Sequence, residues 1–246
     1  MRATQTAGAR GTGFHLITPD NLFGSRLPNF LHTTVFKLVT PRVGNARLGC
    51  YLLDIAAGGG TGAPVAPGFE SFLFGLEGEA KLESGDLTHT LTPGAFAYLP
   101  DKTTFSLAAA NDARVLWFKR RYERFSELEL PPARLGHRDE IARTEMPIPG
   151  LSRQELIDPS DPRHDFNMSL LRFEPGASLG MVEIHDEEHG LYMTGGAGTY
   201  YLDGRRFDVE QGDFIYMAPY CPQSFAASGA EPAEYLLYKD AYRDGF

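Results

Sequence analysis

The sequence predicts an all-β protein built as two tandem copies of one barrel or sandwich module, and three observations predict it. The first is an internal repeat, the feature to seek before any other in a long chain. Cys50 to Ala57 (Cys-Tyr-Leu-Leu-Asp-Ile-Ala-Ala) matches Met168 to Pro175 (Met-Ser-Leu-Leu-Arg-Phe-Glu-Pro) at an offset of 118, which also pairs Gly78 with Gly196 and Gly94 with Gly212. Gly94-Ala-Phe-Ala-Tyr-Leu-Pro100 and Gly212-Asp-Phe-Ile-Tyr-Met-Ala-Pro219 are nearly one phrase, and Arg114 to Tyr122 lines up with Glu234 to Tyr242 at an offset of 120. The second is vocabulary: within each copy, short runs rich in Phe, Tyr, Val, Leu and Thr alternate with Gly, Pro, Asp and Asn. The third is a break in composition. Glu127 to Asp165 carries Pro131, Pro132, Pro147, Pro149, Pro159 and Pro162 among many charges, and reads as a connector.

The elements follow in order. In the second copy, strands are expected at Ser169 to Phe173, Gly198 to Leu202, Asp213 to Met217 and Glu234 to Lys239, with turns at Glu174-Pro-Gly, Asp203-Gly204 and Glu210-Gln-Gly. Asp-Gly between two β runs is a strong hairpin signal, because both central residues of the favoured turn need positive φ. One helical turn fits within Arg138 to Arg143. The modules are therefore drawn at residues 1–130 and 166–246, with 131–165 as the connector.

Composition narrows the partners. The formal net charge is −9, which disfavours nucleic acid and anionic membranes. No run approaches the ~18 uninterrupted apolar residues of a membrane span. The first residues lack the apolar stretch of a signal peptide, so the cytoplasm is the expected compartment. Cys50 and Cys221 are too few for a disulfide framework and too far apart for a C-x-x-C pair. A buried small hydrophobe is the better reading of Cys221. Small molecules are the expected ligands, and a homo-oligomer is the expected assembly.

Residues 181 to 192 concentrate the chemistry. Glu183, His185 and His189 put one carboxylate and two imidazoles within seven residues of a chain that has seven histidines. In an extended segment residues two apart point the same way, so Glu183 and His185 can grip one ion, and His189 has the same parity. That donor set suits Mn(II), Fe(II), Zn(II) or Ni(II). A competing reading makes both histidines part of a solvated acidic run, since Asp186, Glu187 and Glu188 lie between them. Another takes His-Asp-Glu-Glu-His as the helical H-x-x-E-H string of a metallopeptidase class. Gly180, Gly190 and the Gly-rich stretch before Thr199 argue against a helix. Tyr235, Leu237 and Lys239 share one strand face by period-two alternation, so a phenol and an ammonium can enter one barrel mouth.

These ordered phrases resemble the cupins, small β-barrels of jelly-roll type, and two copies resemble a bicupin. Glu183-Ile-His185 stands where that family has His-x-His, His189 where it has Glu, and Gln223 where a histidine ligand is usual. The permuted set is similar to that of the (S)-ureidoglycine aminohydrolases, and the tail Tyr235 to Asp240 fits the same family. The resemblance implies Mn2+, or another divalent ion, held by Glu183, His185, His189 and Gln223. It also implies substrate contacts from Glu183, Gln223, Tyr235 and Lys239, with Glu183, Tyr235 and Lys239 taking part in catalysis. The activity it implies is amidine-type C–N hydrolysis in allantoin and purine catabolism, releasing ammonia from (S)-ureidoglycine to give (S)-ureidoglycolate. A metal-dependent isomerase or dioxygenase and a non-catalytic ligand-binding bicupin are the alternatives, because fold alone does not decide activity.

The first copy is expected to have lost its site. Ser71 aligns with His189, Thr103 or Thr104 with Gln223, Val115 with Tyr235 and Lys119 with Lys239, and Gly58 to Gly68 holds no histidine. Glu70 is alone nearby. That module is expected to be a metal-free scaffold on which the catalytic barrel packs, and His15, His32, His89, His137 and His164 are read as ordinary single histidines.

Overall fold

The computed structural model describes residues 9–10, 13–44, 46–125 and 127–241. The expected pairing of Tyr122 with Tyr242 therefore falls partly outside the described residues. Strands dominate, the longer ones antiparallel, and the chain divides into two compact units. One is Phe23–Glu140; the other joins Met1–Leu22 to Ile141–Phe246.

In the C-terminal unit, one sheet runs in the order Phe14–Ile17, Phe214–Met217, His189–Gly195, Ala233–Asp240, Phe166–Phe173, Leu151–Glu155, with short strands at either edge. A second sheet of three strands orders Arg205–Glu210, Ala197–Leu202 and Gln223–Ala227. The core lies between them: Leu171, Phe173, Leu191, Met193 and Ile215 from the first sheet meet Tyr200, Leu202, Phe207, Val209 and Phe225 from the second. These are the inward positions of alternating strands, the pattern of a sandwich closing into a barrel. The Asp203-Gly204 hairpin forms as expected, with φ of 47° and 79°.

The N-terminal unit repeats the scheme. Arg134–His137, Ala95–Leu99, Glu70–Glu77, Ala113–Arg120 and Gly49–Thr61 follow one another in its sheet, and Phe30–Val39 also pairs with Gly49–Thr61. The ladders of the two units coincide. Ser71 is paired with Lys119 and Leu99, and His189 with Lys239 and Met217. Gly78 and Gly196 adopt φ of 62° and 70°, and a Cβ at either would strike a backbone carbonyl, of Asp112 and Pro232 respectively. A shared steric demand explains why the repeat keeps glycine there.

The structure divides the chain differently from the expected 1–130, 131–165 and 166–246. Phe14–Ile17 pairs with Phe214–Met217 and so belongs to the C-terminal unit, while Arg134–His137 pairs with Ala95–Leu99 and completes the N-terminal one. The stretch 131–165 is thus not a bare connector: it also supplies Leu151–Glu155, paired with Phe166–Phe173. Its prolines lie outside all three of its strands, which lets edge pairing coexist with proline-rich composition. The expected helical turn is a 3-10 turn at Arg138–Glu140.

Candidate active site

The segment carrying Glu183 and His185 is extended but is not a ladder strand. It joins the barrel through one isolated bridge, in which the Glu183 N–H donates to the Gln223 carbonyl at 2.7 Å and the Gln223 N–H to the Glu183 carbonyl at 2.9 Å. The Tyr220 N–H donates to the His185 carbonyl at 2.6 Å. Alternation survives without the ladder: Val182 and Ile184 are exposed, whereas Glu183 and His185 are half-buried. No helix forms here, so the metallopeptidase reading fails. His189 begins the next strand and is buried.

The side chains converge. Nε2 of His185 lies 3.4 Å from Oε2 of Glu183, and the rings of His185 and His189 are 4.9 Å apart between centroids. The Gln223 amide nitrogen donates to Nδ1 of His189 at 2.8 Å, and the Tyr200 hydroxyl donates to the Gln223 amide oxygen at 2.8 Å. Burial, followed by the nearby His185 and Lys239 charges, holds the His189 imidazole well below its usual range, at about 3, so it is neutral at ordinary pH. A neutral imidazole is the ligand form.

Donor chemistry and spacing both fit a divalent ion. Two ligands bound at ~2.1 Å and at right angles stand roughly 3 Å apart. The separation of Glu183 Oε2 from His185 Nε2, 3.4 Å, has that character. With Nδ1 accepting from the Gln223 amide, the neutral His189 ring carries its proton on Nε2, which is buried without a hydrogen-bond partner; the ring ligates an ion once the amide turns and the proton moves to Nδ1. Among the described residues, no three His, Cys, Asp or Glu side chains already close around a common point. The fit is one adjacent carboxylate–imidazole pair with a second imidazole and an amide beside it.

Tyr235 sits opposite Met193 in the ladder, its ring 5.6 Å from both Phe173 and Phe225. Burial, with the Glu183 carboxylate adding to it, raises its hydroxyl above the usual phenol range and keeps it a proton donor. Lys239 faces His189 across the ladder, and its ammonium pairs with Glu187 Oε1 at 2.9 Å. The solvated-run reading therefore holds for Asp186, which is exposed, but not for Glu187 and Glu188. Glu187 is ion-paired, and Glu188 is 2% exposed, accepting hydrogen bonds from the Tyr216 and Tyr238 hydroxyls at 3.2 and 3.4 Å. Cys221 lies in the core, its thiol pushed up to about 11 chiefly by burial.

Two features escaped the sequence. Tyr200, which anchors the Gln223 amide, stood in a Thr-Tyr-Tyr-Leu run that reads only as a strand. Only the pairing of Ala197–Leu202 with Gln223–Ala227 would have exposed it. In the N-terminal unit the bridge matching Glu183 with Gln223 joins Val65 to Phe105. The counterpart of Gln223 is therefore Phe105, not Thr103 or Thr104, whose neighbouring turn had misaligned the sequence by one or two residues. Ser71, the counterpart of His189, accepts a hydrogen bond from the Trp117 indole at 3.1 Å.

Comparison with known proteins bears on the fold and the family. A cupin domain model matches residues 169–238. A probable (S)-ureidoglycine aminohydrolase of Oryza sativa subsp. japonica is 36% identical over 93% of this chain and 73% of its own length. The (S)-ureidoglycine aminohydrolase of Escherichia coli strain K12 is 33% identical over 94% of this chain and 89% of its own. This chain belongs to the (S)-ureidoglycine aminohydrolase family. Among solved structures, a putative glyoxylate-induced protein from Pseudomonas aeruginosa superimposes with a TM-score of 0.90 at 28% identity, covering 100% of this chain and 95% of that one. An oxalate decarboxylase from Lactobacillus farciminis, with a TM-score of 0.71 at 11% identity over 92% of this chain and 85% of its own, shares the fold alone. Membership of the aminohydrolase family rests on both units, since the matched relatives span nearly the whole chain. The all-β bicupin expectation agrees with the cupin fold of these neighbours, and among the described residues no helix is long and apolar enough to cross a membrane.

Proposed function

We propose that this chain hydrolyses (S)-ureidoglycine to (S)-ureidoglycolate and ammonia in purine catabolism, using one divalent ion, Mn(II) by preference, held by Glu183, His185, His189 and Gln223 of the C-terminal barrel. Family membership supports the reaction. The observation that carries the site is the convergence of the neutral His189 ring, 4.9 Å from that of His185, and the Gln223 amide on the Glu183–His185 pair. Mixed carboxylate, imidazole and amide donors suit Mn(II), and the amide oxygen of Gln223 keeps a lone pair beyond the one taken by Tyr200.

When bound, the ion would orient the substrate and lower the pKa of water. The chain's residues supply the rest. The reaction breaks one C–N bond and forms one C–O bond, and a proton must pass from water to the departing ammonia. Glu183, half-buried at the mouth, is the carboxylate placed to hold that proton in transit. Tyr235 remains protonated and donates a hydrogen bond to the substrate. Lys239 reads the substrate carboxylate by exchanging Glu187 for it, a swap of one anion for another that leaves the half-buried ammonium compensated throughout. Tyr200 is a positioning residue, aligning the Gln223 amide. The N-terminal barrel, with Val65, Ser71, Phe105 and Val115 at the matching places, carries no metal in this reading. The enzyme is cytoplasmic and homo-oligomeric.

Ammonia release from freshly generated ureidoglycine, measured together with metal content by mass spectrometry, tests the proposal. One ion per chain and stereospecific ureidoglycolate formation are expected. Two tight ions per chain, or full turnover by chelator-treated protein, would overturn the assignment.

A further inference from the structure

The N-terminal barrel keeps the cation of the active-site mouth and discards its internal counter-ion. Lys119 occupies the ladder position of Lys239, since Ser71 pairs with the one as His189 pairs with the other. Counting two residues back from Ser71 and from His189, Phe69 stands where the C-terminal barrel has Glu187, the carboxylate that neutralises Lys239. The Lys119 ammonium instead lies over three aromatic faces, 4.6 Å from the ring centroid of Trp117, 4.8 Å from Phe69 and 5.0 Å from Tyr51. The Arg121 guanidinium lies 5.2 Å from the centroid of Phe69.

Ring faces attract a cation but accept its N–H groups only weakly. Among the described residues no carboxylate lies within ion-pair distance of Lys119, and burial lowers its pKa. Glu123, the acid that lines this mouth, pairs with Arg47 at 2.9 Å and Arg120 at 3.7 Å. A cavity of about 300 Å³ opens beside the ammonium, walled by Tyr51, Phe69, Arg47 and Arg121. A half-desolvated charge without a counter-ion is costly, and an external anion would remove the cost. On a chain of net charge −9 this concentration of cations runs against the average.

We propose that the mouth of the N-terminal barrel binds a small carboxylate-bearing molecule, its anion on Lys119 with Arg121 beside it and its body against Tyr51 and Phe69. The aromatic walls favour an organic carboxylate over a compact inorganic anion, because only the former has a body to bury. This site is separate from the reaction centre and performs no chemistry; it would sense an organic acid.

Trp117 is the only tryptophan of the chain and its ring centroid lies 4.6 Å from the Lys119 ammonium, so its fluorescence reports a change at that ammonium. Full-length protein is titrated with hydantoate, an unreactive acid, with its neutral amide and with inorganic phosphate. A saturable change with hydantoate is expected, much weaker with the amide or phosphate, retained in Lys239→Met and weakened at least about tenfold in Lys119→Met. Equal responses to acid and amide, a stronger response to phosphate, no response at all, or a response lost in Lys239→Met and kept in Lys119→Met would each overturn the proposal. If Lys119→Met does not fold, the acid-against-amide comparison on wild-type protein still decides. No turnover is required, so this test and that of the hydrolytic reading fail independently.

Discussion

Tyr200→Phe isolates one hydrogen bond at the centre of the proposed site. The substitution keeps the ring, which lies 5.5 Å from that of Phe225, and deletes the hydroxyl that donates 2.8 Å to the Gln223 amide oxygen. Tyr200 and Gln223 are both buried, so water cannot easily replace the donor. Leaving such an acceptor unpaired costs about 1–3 kcal/mol. The cost can appear in two places. If the amide stays put, the protein loses stability, and a unit of this size melts roughly 3–6 °C lower for each 1 kcal/mol. If the amide turns, its 2.8 Å contact with Nδ1 of His189 is lost, and support of this kind is typically worth about 10- to 100-fold in metal affinity. The assay is competition for Mn(II) against a fluorescent chelator, run beside calorimetric melting and ammonia release. Metal affinity is expected to fall by at least about tenfold, with kcat/KM falling in proportion at subsaturating metal and recovering at excess metal. A variant that melts lower yet binds metal as wild type does would refute the positioning role and leave Tyr200 as a core residue.

Three further outcomes are expected. His189→Ala removes most bound metal and activity while circular dichroism stays β-rich, because the N-terminal unit builds the same ladder with Ser71 in that place; retained turnover would count against the site. Lys239→Met lowers kcat/KM on the order of a hundredfold with metal content unchanged, whereas Glu187→Gln, which frees the Lys239 ammonium of its 2.9 Å partner, lowers KM; a raised KM in Glu187→Gln would show that Glu187 assists rather than competes. In chelator-treated protein, His189 has a folded-state pKa of about 3 against an unfolded value near 6.5, so the unfolded chain binds the extra proton in between. Stability from this group is full above pH ~6.5 and is lost as pH falls towards 3, a loss that His189→Gln should flatten in pH-dependent denaturant melts.

Much of the architecture was legible because repetition and turn chemistry are local properties of a sequence. The offset of 118 carried the alignment of Ser71 with His189, and Asp203-Gly204 could only be a turn. Glu183, His185 and His189 were legible because period-two alternation needs no knowledge of neighbours, and the half-buried and exposed residues of 182–185 obey it even without a ladder. Identifying Gln223 required a family pattern, since nothing in Pro-Gln-Ser-Phe marks an amide that faces inward.

Pairing across long separations was not legible. That Phe14–Ile17 edges the C-terminal barrel, 200 residues away at Phe214–Met217, follows from the hydrogen-bonding needs of an unpaired sheet edge and not from any local signal. Proline content marked 131–165 as connector because composition averages over a segment, while strand pairing is settled residue by residue. Tyr200 joined the site, Glu187 reached Lys239, and Phe105 displaced the threonines as counterpart of Gln223 for one reason. Each depends on which side chains the closed barrel brings face to face, and a linear order of residues specifies that only after the sheets have closed.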